Sequence, residues 1–231
     1  MVYHCPICGA ELIERKAEAV CTFCGRLTPT EYICLQGHHI CEECQLATMP
    51  QVVERVCEST KEKDPGHIAN LIMKHPAMLM HSAQHHFIVA PVILAALANA
   101  GELVLHKGRL RAALRRTADI PFASCGTRGE CGACIGLGAA VSILTKASYL
   151  KDKERSLALG ASAEALFAVA GAGGPRCCKQ SVYLTLETGV AFLKRELGLE
   201  FPLKIECDFS SRNQECKRER CKYYEPSVET P

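Results

Sequence analysis

The sequence lacks a strong excess of charge of either sign, any long hydrophobic run and any internal repeat. Among its 231 residues, 27 Lys and Arg balance 25 Asp and Glu. The net charge of +2 gives no electrostatic reason to expect nucleic acid or an anionic membrane as a partner. The most apolar segment, residues 87–100, contains Pro91 and Asn99 and is shorter than the roughly 20 residues that cross a bilayer. It therefore predicts a buried helix, and no membrane partner is expected.

Cysteine is the residue that the sequence has in excess, with 16 copies. The N-terminus, MVYHCPICGA, lacks the apolar core of a secretory signal. We therefore expect a cytoplasmic protein whose thiols serve metals or redox chemistry instead of structural disulfides. So many thiols also favour an anaerobic source. The hydrophobic fraction of 48% is sufficient for a real core.

Cysteine spacing and helical periodicity divide the chain into four regions, and the fold class that they predict is mainly α. Residues 1–45 form a zinc-ribbon or zinc-knuckle module, 46–66 a connector, 67–200 a helical domain and 201–231 a Cys-containing tail. Alternating apolar residues at 203–209 predict a strand. Apolar residues three or four positions apart predict helices near 66–74, 82–100, 105–117, 131–147, 153–170 and 178–197.

Eight metal ligands lie in short chelating groups within the first 45 residues. Two groups are Cys-x-x-Cys pairs followed by glycine, a spacing typical of zinc knuckles, although four thiolates alone would also hold iron. We predict two zinc ions with the ligands taken in chain order, and an interleaved order is the alternative. The first set is Cys5, Cys8, Cys21 and Cys24, and the second is Cys34, His38, Cys41 and Cys44. His39 would lie beside the second set. Sites with four protein ligands leave no position for substrate, so the module is expected to be structural.

Two glycine-rich turns place cysteines at predicted helix N-termini, where exposed amides and the helix dipole stabilise thiolate. The turns are CGTRGECGAC at 125–134 and GGPRCCK at 173–179, and we expect them to converge. An iron–sulfur cluster of the 4Fe–4S type binds four thiolates. The predicted set is Cys125, Cys131, Cys134 and Cys177, with Cys178 as the alternative to Cys177. A redox dithiol, a sulfur-transfer site and packing of small buried residues are the competing interpretations.

Charged and imidazole groups beside these thiols indicate a catalytic role. Cys177 is the expected nucleophile, because Arg176 and a helix N-terminus both favour its thiolate, and Cys178 would be its partner. His81 and His85 are four positions apart, so on one helix they would share a face and could bind metal or move protons. Satisfied polar contacts are the alternative for both histidines. The cations expected to hold an anionic substrate are Arg128, Arg176 and Lys179.

Three more cysteines lie in the tail: Cys207, Cys216 and Cys221. They could form a third metal site with a ligand from elsewhere, for which Cys57 is a candidate. Alternatively, one of them could complete the central cluster. The remaining interpretation is that Cys207 packs in the core and that the other two are exposed thiols.

Three strings, MHSAQHHFIVAPVILAAL, CGTRGECGACIGLGAA and GGPRCCK, resemble a Cys-rich domain family of unknown function. The resemblance places the family in anaerobic archaea and bacteria, where it is sometimes appended to methyltransferase-like chains. It covers roughly residues 1–225 and implies no particular reaction. The chain itself has no glycine-rich strand–loop–helix for S-adenosylmethionine.

Two functions fit these observations. The first is a redox or sulfur-handling metalloenzyme with an iron–sulfur cluster or a reactive dithiol in its helical domain, acting on a small anionic molecule. The second is a non-catalytic zinc-binding scaffold that docks onto a protein partner through its knuckles. The sequence predicts no oligomeric state.

Overall fold

The computed structural model describes residues 2–225, in which a β-hairpin precedes a helical domain. The expected mainly-α fold is confirmed. Strands β1 (Leu12–Val20) and β2 (Leu27–Cys34) pair antiparallel, with Leu12 opposite Cys34 and Val20 opposite Leu27. The α-helices of the described range are α1 (Glu42–Gln45), α2 (Met49–Ser59), α3 (Pro65–Met73), α4 (Val89–Ala100), α5 (Lys107–Arg115), α6 (Ser124–Thr127), α7 (Gly132–Thr145), α8 (Asp152–Gly171) and α9 (Cys178–Leu197).

Helix α4 lies at the centre of the core, and every residue from position 89 to position 97 is buried. A helix that is apolar on all sides is stable in water only when other elements cover it, and α3, α5, α7 and α9 pack around α4. By length and composition, the helical stretch Ala83–Ala100 could cross a membrane, but most of it is buried inside the fold. This burial is typical of a core helix.

Helices α7 and α8 pack closely because α7 carries a glycine where the two helices meet. A Cβ added at Gly138 would lie 2.1 Å from the Ser162 Oγ and 2.7 Å from the Ala158 carbonyl oxygen. At the start of α7, a Cβ on Gly132 would lie 2.1 Å from the Cγ of His86. These two glycines therefore make room for neighbouring protein groups.

Most of the predicted helices have close counterparts in the structure. The segment predicted at 82–100 is divided into a 3-10 helix, Ala83–Phe87, and α4. The region predicted as a connector contains α2, whose N-terminus has a capping box formed by Thr48 and Gln51. This region is therefore helical in the structure.

The strand predicted at 203–209 is wrong, because this segment has no strand beside it. Side chains of the α3 region satisfy its backbone instead. The Asp64 carboxylate accepts a hydrogen bond from the Lys204 amide, and the Asn70 Nδ2 donates to the Glu206 carbonyl at 2.6 Å. Phe209 and Tyr223 are buried, so the described part of the tail belongs to the helical core.

The hairpin module, residues 2–45, packs against α2 and the end of α3 through an aromatic contact and two polar contacts. The ring of Phe23 is fully buried, and its centroid lies 4.6 Å from that of His75. The His75 Nε2 lies 3.1 Å from the Cys44 carbonyl oxygen, and the Ser59 hydroxyl donates to the Phe23 carbonyl at 3.3 Å. The module and the helical domain thus share buried contacts.

Candidate metal centres and thiol pocket

The structure gathers the eight predicted metal ligands into two groups of four. In each group, the ligand atoms all lie within 4.8 Å of one another. The Sγ–Sγ distances are 3.6 Å for Cys8–Cys34 and 3.7 Å for Cys24–Cys41. A tetrahedral ion with metal–sulfur bonds of about 2.3 Å holds its sulfurs about 3.8 Å apart, so both donor sets fit one metal ion each. The groups are Cys5, Cys8, Cys34 and His38, and Cys21, Cys24, Cys41 and Cys44.

The ligands are interleaved, and the prediction of two sets in chain order is corrected. The reason is the β1–β2 hairpin. Pairing of Leu12 with Cys34 brings the end of β2 back beside the first Cys-x-x-Cys turn. The second turn lies at the opposite end of the hairpin, where the Thr22 amide donates to the His39 carbonyl at 2.8 Å and brings Cys41 alongside. Long-range strand pairing therefore determines which ligands share an ion.

His38 and His39 have different surroundings although they are adjacent. The Nδ1 of His38 lies 3.9 Å from the Cys34 Sγ, within the first group. The Nε2 of His39 lies 2.8 Å from the Thr28 hydroxyl, outside both groups. The structure thus places His38 among the ligands and His39 beside them.

The N-termini of α7 and α9 meet at a pocket that we call the thiol pocket. Cys131 is the N-cap residue of α7, and Cys178 begins α9. The two turns that were expected to converge do so, because both of these cysteines line the pocket. Its other lining residues include Cys125, Arg176, His86 and Ser181.

A second cavity lies on the other side of the α9 N-terminus, and we call it the four-cysteine cavity. Its lining includes Cys177, Cys207, Cys216 and Cys221, together with Lys179 and Lys217. Cys177 is the N-cap residue of α9, so adjacent cysteines line different cavities.

The set predicted for one central cluster is therefore divided. Cys125 and Cys131 line the thiol pocket, and Cys177 lines the four-cysteine cavity. Cys134 is fully buried below the thiol pocket, with its Sγ 3.5 Å from the Thr185 hydroxyl. Cys57, the proposed fourth ligand for the tail, is buried within α2 and lines neither cavity.

The predicted helix face shared by His81 and His85 is absent, because His81 precedes the 3-10 helix that contains His85. His81 contacts the second cavity's wall, with its Nε2 3.2 Å from the Asn213 Oδ1. His85 is 1% exposed and lines the thiol pocket, with its Nε2 3.3 Å from the Lys179 Nζ. The two histidines therefore lie beside different cavities.

Of the three cations predicted to hold an anion, only Arg176 lines the thiol pocket. Arg128 lies outside the pocket's lining, where it pairs with Glu130 at 3.4 Å. Lys179 points into the interior, where its ammonium donates to the Met80 carbonyl at 3.0 Å. An anionic ligand in the thiol pocket would therefore meet one exposed guanidinium.

Residues 53–224 match the model of a family described as a family of unknown function, DUF5714. The chain belongs to this family. A search of curated proteins and a search of solved structures each found no match. The match excludes the metal-binding hairpin module, although the resemblance had extended to it. The DUF5714 region contains both the thiol pocket and the four-cysteine cavity, so these two features belong to the matched part of the chain.

Within the DUF5714 region, the two cysteines of the CGAC turn have opposite acidities. A hydrogen bond from the Cys134 thiol, together with the backbone amides of Cys134 and Ala133, lowers the pKa of Cys131 to about 6. The same hydrogen bond and burial raise the pKa of Cys134. At neutral pH these shifts favour thiolate at Cys131, at the helix N-terminus, and a protonated thiol at the buried Cys134.

The pKa of Cys177 was expected to be low, and the structure corrects this. Burial raises it above the ordinary value, although the amide of Gln180 and the charge of Lys179 oppose this effect. Burial also raises the pKa of Cys178 to about 11. Desolvation therefore outweighs the helix N-terminus at both positions, and Cys131 is the more acidic thiol.

Ser181 and Thr185 are neighbours of the thiols that were not among the predicted site residues. Ser181 lines the thiol pocket and, through a hydrogen bond, helps to lower the pKa of Cys131, while Thr185 contacts Cys134. Both lie on α9 at helical spacing from Cys178, and this polar stripe was the signal that could have identified them.

Proposed function

We propose that this protein is a cytoplasmic thiol–disulfide redox enzyme whose reactive pair is Cys131 and Cys134, with a zinc-bound N-terminal module that serves its structure. The observation that carries the proposal is the position of the pair. Cys131 caps α7 and faces a pocket, while Cys134 lies buried one turn further along the same helix. The opposite pKa shifts of the two thiols support these roles.

In the proposed reaction, the Cys131 thiolate attacks one sulfur of a substrate disulfide. The substrate S–S bond breaks, its other sulfur leaves as a thiolate that takes up a proton, and a mixed disulfide forms. The Cys134 thiol then loses its proton and attacks the Cys131 sulfur, which releases the second substrate thiolate. The substrate disulfide gains two electrons and two protons and becomes two thiols, while the protein dithiol loses them and becomes a Cys131–Cys134 disulfide.

Substrate selection in this proposal falls to the groups around Cys131. Arg176 is exposed at the pocket and lies over the ring of Phe122, with 5.0 Å from its Cζ to the ring centroid. A guanidinium held on an aromatic face presents its donors in a fixed plane, which suits a carboxylate or phosphate. Small disulfides that carry an anionic group are therefore the proposed substrate class.

The pH dependence of thiol alkylation tests this proposal. The full-length protein would be labelled with iodoacetamide between pH 5 and pH 9, and each cysteine would be followed by peptide mass spectrometry. We expect the alkylation rate of Cys131 to reach half of its maximum near pH 6, because thiolate is the reacting form. Cys125 is the matched control, since it lines the same pocket but lies outside the α7 N-terminus.

Two variants complete the test. In glutathione redox buffers, the wild-type protein should form a Cys131–Cys134 disulfide, and both Cys131→Ser and Cys134→Ser should leave the other thiol free. Reactivity of Cys131 that rises only above about pH 8, as for an ordinary thiol, would contradict the proposal.

The scaffold function gains from one observation on the hairpin. Ile13, Val20 and Leu27 are apolar and between 43% and 58% exposed, as residues of a docking surface often are. If the alkylation of Cys131 shows the pH dependence of an ordinary thiol, this second function would be favoured over the redox enzyme.

A further inference from the structure

Four cysteines from two distant parts of the sequence face one cavity. Cys177 lies at the start of α9, whereas Cys207, Cys216 and Cys221 lie in the segment that follows it. The packing of the tail against α3 and α9 produces this arrangement, through the contacts of Asp64 and Asn70 described above. No thiol of the CGAC turn lines this cavity.

The four sulfurs are spaced too widely for one metal ion. Within residues 2–225, the groups of three or more Cys, His or carboxylate ligand atoms that lie within 4.8 Å of one another are those of the hairpin module. A single tetrahedral ion needs sulfurs about 3.8 Å apart. A 4Fe–4S cluster holds its thiolates farther apart, because four iron atoms lie between them. The four sulfurs therefore do not form a one-ion site, and their wider spacing is compatible with a cluster.

Hydrogen-bond donors surround three of the four sulfurs. The Gln180 Nε2 donates to the Cys221 Sγ at 3.3 Å, and the Arg218 amide donates to the Cys216 Sγ at 3.4 Å. The Asn213 Nδ2 lies 3.9 Å from the Cys177 Sγ. Such N–H···S contacts orient thiolate ligands and tune the potential of iron–sulfur clusters.

Two buried ammonium groups line the same cavity without a carboxylate partner. Lys179 is 2% exposed and donates to the Met80 carbonyl and to His85, and Lys217 is 8% exposed and donates to the Gly173 carbonyl and to the Gln180 Oε1. Among the described residues, neither lysine forms an ion pair within 4.0 Å. A buried charge needs a counter-charge. A cluster held by four thiolates carries net negative charge and would supply it.

We propose that Cys177, Cys207, Cys216 and Cys221 bind a 4Fe–4S cluster, with Lys179 and Lys217 balancing its charge. With a protein thiolate on every iron, the cluster leaves no open iron site for substrate. The site goes beyond the proposed dithiol function, and it does not depend on it, since the two sets of cysteines line different cavities.

Metal and sulfide analysis of the full-length protein tests this site. The protein would be reconstituted without oxygen using ferrous iron and sulfide, and then freed of unbound metal. We expect about four iron atoms and about four sulfides per chain, a broad visible absorption band and an electron paramagnetic resonance signal after reduction with dithionite. Iron without sulfide, or no iron at all, would overturn the proposal.

The vicinal cysteines provide a matched pair of variants. Cys177→Ala should lose the cluster, whereas Cys178→Ala, one residue away and facing the thiol pocket, should keep it. Cys216→Ala is a second loss variant at a position that is partly exposed, and Cys125→Ala is its control. Far-ultraviolet circular dichroism and zinc content show whether each variant folds. A folded Cys177→Ala or Cys216→Ala protein with full iron and sulfide would overturn the ligand assignment, as would loss of the cluster from Cys178→Ala.

Discussion

At the residue scale, burial decides which polar groups are charged, and neighbouring residues can differ greatly. Cys131 and Cys177 both cap helices, yet hydrogen bonds lower the pKa of Cys131 and burial raises that of Cys177. The sequence shows the same local pattern at both sites, a glycine-rich turn followed by a helix. The difference arises from the tertiary packing around each thiol, which a local pattern cannot reveal.

His85 gives a prediction at this scale. Burial and the charge of Lys179 lower its pKa from 6.5 to about 3. Between these pH values the unfolded chain binds a proton at His85 that the folded chain does not. Neutral His85 therefore makes its full contribution to the free energy of unfolding above pH 6.5. This free energy falls by about 1.4 kcal/mol per pH unit as the pH decreases from 6.5 towards 3.

Urea denaturation of the wild-type protein and of His85→Gln checks this prediction, with zinc in excess at pH 6.5 and pH 5.5. Gln can accept the hydrogen bond from Lys179 but does not titrate. The wild-type protein should lose about 1 kcal/mol more than the variant over this pH unit. Equal losses in the two proteins would show that His85 is not held neutral.

At the element scale, the fit between α7 and α8 depends on one glycine. Gly138→Ala would place a Cβ 2.7 Å from the backbone carbonyl oxygen of Ala158, so the helices must separate. We expect a loss of about 1–3 kcal/mol in the free energy of unfolding. Gly160→Ala is the matched control, because its Cβ would meet only Phe192, at 3.9 Å.

The control should change stability in the opposite direction. Alanine in a helix interior is favoured over glycine by about 1 kcal/mol, and nothing at position 160 opposes this gain. Urea denaturation of the two variants measures both effects. A stable Gly138→Ala protein would mean that α7 and α8 do not pack as closely as described.

The helices of this fold were predictable because their signal is local. Apolar residues at helical spacing identified α7, α8 and α9 within a few residues of their ends. The order of metal ligands was not predictable, since it depends on the pairing of β1 with β2. The ligand residues themselves were identified from spacing, but their grouping was a question of tertiary structure.

The candidate sites of the helical domain were predictable only in part. Convergence of the two cysteine turns followed from their matching chemistry. The assignment of Cys177 and Cys178 to opposite cavities did not, because a change of one residue at a helix N-terminus turns the side chain to another side. The position of the tail cysteines at the four-cysteine cavity was not predictable either. It depends on the packing of the tail against α3, through buried contacts of Asp64 and Asn70.

At the scale of the whole molecule, the hairpin module and the helical domain stabilise each other through a shared contact surface. The module itself has little apolar core, so metal binding is expected to contribute much of its folding free energy. Phe23 and the Cys44 carbonyl both contact His75 at the end of α3. Loss of metal should therefore affect helices that contain no metal ligand.

Removal of metal tests this coupling, and hydrogen exchange measures it. After treatment with a strong chelator, we expect backbone amides of the hairpin to lose protection first. Helices α2 and α3 should lose part of theirs, because they pack on the module, while α7 and α8, which hold no proposed metal ligand, should keep theirs. Unchanged exchange in α2 and α3 would show that the module is an independent unit.

A pair of histidine variants separates the effect of metal from that of the chelator. His38→Ala removes a ligand of the first group and should reduce the zinc content by about one ion per chain, whereas His39→Ala should keep two. The two groups share the β1–β2 hairpin, so loss of the first ion should loosen both strands. In His38→Ala, the amides of the hairpin should therefore lose part of the hydrogen-exchange protection that they lose after chelation. If both variants keep two zinc ions, His38 is not a ligand and a fourth donor to Cys5, Cys8 and Cys34 must come from elsewhere.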